Sequence, residues 1–155
     1  MPAKKNIFRR NKRLIGIAVV LFILNVAIIV VWQHTSLFSG VIPISPSFSF
    51  NILTIDAVFA GFGYNTLGTV VSFLSNDSIR QKDQDGYMDH YYNGLYLALM
   101  GFLIAMIFGA ITAFSNLGEK FHFLYMFQLL SNLDAAVFFV NSAFGLRRLI
   151  NQVRK

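Results

Sequence analysis

The chain has no cysteine. Disulfides, palmitoylation and thiol chemistry are therefore excluded, and cysteine usage says nothing about the redox compartment. Charge is scarce as well: 13% of residues are charged against 55% hydrophobic, where a soluble domain carries about 25% charged residues. Four long runs, at 14–32, 48–74, 91–114 and 121–146, also lack a polar face. A soluble amphipathic helix would show one about every 3.6 residues. Within these runs the first is interrupted by Asn25, the second holds a single charge, Asp56, and the third holds none. The fourth holds Asp134 and, near its start, His122.

Each run is long enough to matter physically. A hydrocarbon core of about 30 Å is crossed by roughly 20 apolar residues in a helix, and a chain of 155 residues has no soluble core large enough to hide four such helices. The expected fold class is all-α: a polytopic integral membrane protein, with residues 1–155 forming a single domain of four transmembrane helices. The basic start followed by an apolar run resembles a signal peptide. Its run, however, exceeds the usual length of about 7–15 residues, and the Gln33-His34-Thr35-Ser36 that follows offers no small-x-small cleavage site. It reads as an uncleaved first helix.

Basic residues set the expected orientation. Lys4, Lys5, Arg9, Arg10, Lys12 and Arg13 precede the first run, Arg80 and Lys82 lie between the second and third, and Arg147, Arg148, Arg154 and Lys155 close the chain. Lys120 stands alone on the other side. Both termini are therefore expected in the cytoplasm, in a cell membrane, with the basic flanks against anionic lipid headgroups rather than nucleic acid. Trp32 and Tyr125 would mark the outer interface, and Tyr87, Tyr91, Tyr92 and Tyr96 the inner one.

The connecting segments contain no domain. The outer loop at 33–47 holds Gly40, Pro43 and Pro46, which suits an irregular turn. The inner loop at 75–90 is polar, and its Asn76-Asp77-Ser78 sequon lies on the expected cytoplasmic side. Its Asp83-Gln84-Asp85-Gly86 falls short of a calcium loop, because Gln81 and Tyr92 stand where oxygen ligands are needed. A solvated loop is the expectation there. Residues 115–120 read as a tight hairpin turn.

Lipid gives helices no hydrophobic reason to associate, so small residues that permit close approach mark the contacts. Gly101, Ala105, Gly109 and Ala113 recur every four residues on the third run and predict a packing seam. On the second run Ala57, Ala60, Gly61, Tyr64, Asn65, Gly68 and Ser72 gather on one side, and Phe59, Phe62 and Phe73 cluster opposite. The small face is expected inside and the Phe face toward lipid or another subunit. Intramolecular packing and a homo-oligomer both remain open for these seams.

Asp56 and Asp134 are the most function-like residues, since a carboxylate at a helix centre costs about 2.5–3.5 kcal/mol on insertion scales. Every Lys and Arg lies outside the four runs. Each acid is thus either protonated, hydrogen-bonded by amides such as Asn25, Asn65 and Asn141, or met by a cation from a partner or from solution. Ser131, Asp134, Asn141, Gly145 and Arg148 share one sector of the fourth run, which fits either a cavity lining or interhelical hydrogen bonding. The segment from Phe50 to Phe59 echoes that from Phe127 to Phe138 once gaps are allowed. Duplication of a helical hairpin and chance both explain this echo.

Nothing points to an enzyme, a cofactor or a metal. His34, His90 and His122 occur singly, and Gly61-Phe62-Gly63 lacks the third glycine of a dinucleotide fingerprint. Two function classes remain. One is a non-enzymatic interaction protein, either an accessory subunit of a membrane complex or a small protective, immunity-type protein. The other is a small oligomeric transporter or channel that moves protons or cations by way of Asp56 and Asp134. The first is favoured, because four helices leave little room for a walled pathway.

Overall fold

A computed structural model describes residues 11–35, 45–75, 77–84, 86, 88–115 and 117–153, with the side chains of 78, 82, 119 and 148–153 outside the description. Lys4, Lys5, Arg9, Arg10, Arg154 and Lys155, together with Gly40, Pro43, Asn76, Asp85 and Tyr87, also lie outside the described residues. The described residues form helices α1 (Lys12–His34), α2 (Pro46–Ser72), α3 (Asp77–Gln84), α4 (Asp89–Phe114), α5 (Leu117–Lys120) and α6 (Phe123–Val153), and they contain no strand. Four of these helices are long and apolar enough to cross a membrane: Lys12–His34, Pro46–Ser75, Asp89–Phe114 and Phe123–Arg147.

Local chemistry explains where α2 begins and how it carries its polar residues. Ser45 caps it by accepting the Phe48 N–H at 3.2 Å, with Pro46 in the first turn, where its missing N–H is not needed. Thr54, Thr66 and Thr69 each donate to the carbonyl four residues back in their own helix. These hydroxyls are satisfied without a neighbour, so they can face an apolar surrounding.

The centre of the bundle is α4, which packs against both α2 and α6. A Cβ placed on Gly101 would lie 2.8 Å from the Ala135 Cβ, and one on Gly109 would lie 2.5 Å from the Gln128 Nε2. These contacts run α4 antiparallel to α6. Gly63 against Leu99 and Gly109 against Leu53 run α2 antiparallel to α4 in the same way. The buried α4 residues Leu95, Ala98, Phe102, Ala105, Gly109 and Thr112 alternate by three and four, and on α2 Ser49, Asp56, Gly63 and Val70 recur every seven. Such spacing belongs to left-handed helix packing, in which one narrow stripe faces the neighbour along the whole contact.

Two apolar clusters fill the interior. Leu14, Ala98, Phe102, Ala135 and Phe138 form one, with Ile17 and Leu21 of α1 against it. Val70, Ile79, Met88 and Leu95 form the other. Helix α1 is the outlying member: 6% of its most apolar window is buried, against 28% and 33% for α4 and α6.

Several expectations are corrected here. The inner loop is not merely solvated, because it contains α3, whose Ile79 is 1% exposed and docks on Val70. Its Asp77 lies in the first turn, where a negative charge suits the helix dipole. Tyr125 is buried rather than displayed at an interface; the turn made by α5 covers it, with Gly118 directly against its ring.

Candidate functional site

Each intramembrane-type acid has an amide partner on another helix. Asn25 of α1 donates from Nδ2 to Asp134 Oδ2 of α6 at 2.7 Å. Asn132 of α6 donates from Nδ2 to Asp56 Oδ1 of α2. Asn132 and Asp134 are two residues apart, hence about 200° apart around the helix, so α6 reaches α2 on one side and α1 on the other. The contact of Gly101 with Ala135 sets Asp134 level with Phe102, while the contacts of Leu53 and Gly63 with α4 set Asp56 near Met106. The two clasps thus sit within about one helical turn of each other in depth, near the middle of α4.

A third polar group lies farther along the same stripe of α2. Ser49 Oγ donates to Gln128 Oε1 at 2.8 Å, and Thr112 Oγ1 donates to Ser49 Oγ at 2.7 Å. Gln128 Nε2 returns a hydrogen bond to the Ser49 carbonyl at 3.0 Å. All three residues are essentially fully buried, and the closed network ties α2, α4 and α6 at one level. Burial of polar groups is tolerated in this form because each has a partner. Asp56 is less complete: it is buried, and its Oδ2 has no hydrogen-bond partner among the described residues.

The sequence candidates divide unevenly over this arrangement. Asn25 and Asp134 meet. Asn65 is exposed and Asn141 half-buried, and neither bonds to a carboxyl among the described residues. Asn132, Ser49, Thr112 and Gln128 carry interhelical bonds although sequence reasoning did not single them out. A signal was present, since Ser49 stands seven residues before Asp56 and Thr112 seven after Ala105, which places each on the stripe its neighbour defines. Of the polar stripe on α6, Ser131, Asp134 and Asn141 are half-buried, Gly145 lies against Tyr91, and the Arg148 side chain lies outside the description. The two acids in the internal echo do different things: Asp56 pairs with α6, and Asp134 pairs with α1.

The seam residues of α4 lie inside, with Ala105 and Gly109 buried and Gly101 and Ala113 half-buried. The face expected inside on α2 is turned outward instead. Ala57, Gly61, Tyr64, Asn65, Gly68 and Ser72 are exposed, while Ala60 alone of that group reaches the core. A Cβ on Gly61 or Gly68 would meet nothing within 4 Å. Conversely, Phe59 stacks on Phe102 at 5.6 Å between ring centroids, and Phe73 packs on the second cluster, so only Phe62 keeps its full outward position. The reason is the register: the stripe through Asp56 and Gly63 turns inward, and residues about 100–180° around the helix must then face out. Asn65 belongs to that outward set. Its amide makes no hydrogen bond among the described residues, and unlike the neighbouring threonines it has no bond back to its own helix.

Among the described residues no three His, Asp or Glu side chains gather as metal ligands. The geometry defines a class, an all-helical bundle with four helices of membrane-crossing length braced by interhelical polar clasps. Comparison with protein-family models, with curated proteins and with solved structures finds no match.

Proposed function

We propose that this chain is a four-span protein of the cell membrane with both termini in the cytoplasm, acting without catalysis by binding a partner within the bilayer. An accessory subunit of a membrane complex and a small protective, immunity-type protein are the forms this takes. The observation that carries the reading is the outward face of α2, where Gly61, Gly68 and Asn65 are exposed and the Asn65 amide has no hydrogen bond among the described residues. In lipid, such a face lets another backbone approach closely and gives the amide a partner, and both are what drive helix association there. The acids support the same reading, since Asp134 and Asp56 are engaged in bracing the bundle.

Because the chain lacks cysteine, single-cysteine variants test this directly in native membranes. Cysteine at Gly61 or Gly68 is expected to cross-link to a neighbouring chain, and cysteine at Phe62 is not. Equal yields from all three, or none from any, would overturn the reading. Orientation is tested by cysteine at Ser45 and Gln84: an impermeant reagent outside intact cells labels the first and spares the second.

One observation favours transport as the second reading, the buried Asp56 Oδ2 with no hydrogen-bond partner among the described residues. That reading requires ion or proton flux in liposomes that Asp56→Asn and Asp134→Asn abolish while the fold persists.

A further inference from the structure

An open groove of about 360 Å³ lies between the first turns of α1 and α4. Its composition changes along its length. At one end Asn11 and Asn93 join across it, Asn93 Nδ2 donating to Asn11 Oδ1 at 3.1 Å. Its walls continue as Leu14, Ile15 and Ala18 on α1 and Leu97 on α4. From Asn11 to Ala18 the slot runs for about two helical turns, roughly 10 Å. Lys12 and Arg13 are exposed beside the amide end. Arg13 also interacts electrostatically with His90, one turn before Asn93 on α4. Asp89, on the same end of α4, is engaged in an interaction of its own.

We propose that this groove is a binding site for one anionic phospholipid, with an acyl chain along Leu14, Ile15, Ala18 and Leu97 and the phosphate at Lys12 and Arg13. The order cation, amide, hydrocarbon wall is the order of phosphate, ester and chain in a lipid. The volume falls at the lower end of the range of small-ligand sites, about 300–1000 Å³. Basic residues at the mouth of a slot between membrane helices are a recurrent means of holding acidic headgroups. A partner helix fits less well, because the apolar walls extend for only two turns before α1 is simply exposed. The proposal needs the chain to lie in a bilayer and is independent of what binds α2.

Native mass spectrometry of the full chain in a mild neutral detergent, titrated with phosphatidylglycerol or phosphatidylcholine, tests it. The chain is expected to retain one phosphatidylglycerol in clear preference to phosphatidylcholine. Each cation near a membrane surface is worth about a fivefold preference for anionic lipid. The double variant Lys12→Gln, Arg13→Gln, altering two exposed side chains, should thus lose on the order of 25-fold in that preference. Ala18→Trp, which fills the groove, should lower retention of both lipids; if it does not fold, the charge variant decides. Lys120→Gln at the far end should change nothing. Equal retention of the two lipids by the unmodified chain would overturn the proposal, as would a loss from Lys120→Gln equal to that from the double variant.

Discussion

Helices α4 and α2 carry the same kind of pattern and use it in opposite ways. On α4 the small residues Gly101, Ala105 and Gly109 face the bundle, and Gly101 and Gly109 bring α4 so close to α6 that Ala135 and Gln128 fill the space a side chain would need. On α2 the small residues Gly61 and Gly68 face outward with open space before them, while the contact with α4 is made through Gly63 and larger neighbours. Small-residue spacing therefore states that a helix can be approached closely, but not by what. Polar residues follow the same division. Those facing inward, Asp56, Ser49, Thr112 and Gln128, bond across helices, whereas outward threonines bond to their own backbone and Asn65 bonds to nothing described.

The sharpest way to break this comparison is to enlarge the glycines on both helices. Gly101→Leu should destroy the folded state, because the Ala135 Cβ and backbone cannot retreat from a branched side chain at these distances. Gly109→Leu should cost less, since the end of the Gln128 side chain can swing away, but it breaks the bonds of Gln128 to Ser49. Gly61→Leu and Gly68→Leu should leave thermal stability in detergent unchanged and remove only association with a partner. Comparable melting losses on both helices would show that α2 is not outward.

Next in size is the phenylalanine pair. Phe102 is 1% exposed and Phe62 58%, so Phe102→Ala should cost about 3–5 kcal/mol and Phe62→Ala almost nothing in the isolated chain. Reversible unfolding in a mixed-micelle titration measures the difference, and similar costs would contradict the burial pattern.

Hydroxyls give a smaller contrast. Ser49→Ala takes the near donor from the buried Gln128 Oε1, while Thr112 keeps the Phe108 carbonyl, and should cost about 1–3 kcal/mol. Thr66→Ala removes a hydroxyl that serves only its own helix and should stay within about 0.5 kcal/mol. A Thr66 effect as large as that of Ser49 would mean that α2 has neighbours on its outer side in the isolated chain.

The smallest expected effect is that of the clasp on α1. A double-mutant cycle on Asn25→Leu and Asp134→Leu should give a coupling of about 0.6 kcal/mol, and at most about 1.7 kcal/mol, the range of hydrogen bonds between membrane helices. Asp134→Asn should be almost silent, since an amide still offers an acceptor to Asn25. A coupling near zero would remove the Asn25–Asp134 bond from the account.

The sequence by itself determined that the described chain is helical and where its four long helices run, because length and unbroken apolarity are local properties that a single segment displays. It marked Asp56 and Asp134 for the same reason: a carboxyl in an apolar run is conspicuous without knowledge of its surroundings. It also identified α4 as a helix approached closely at Gly101 and Gly109. Only the tertiary structure decided which side of α2 turns inward, that Asn132 rather than Asn65 meets Asp56, and that Ser49, Thr112 and Gln128 close one network. These are matters of rotation and register between helices remote in the chain. In a helix that is apolar almost all round, no polar face fixes the rotation about the axis, so the sum of contacts with α4 and α6 settles it. A turn of about 100° exchanges one residue for its neighbour at the interface, and the local sequence carries too little amphipathicity to forbid that exchange.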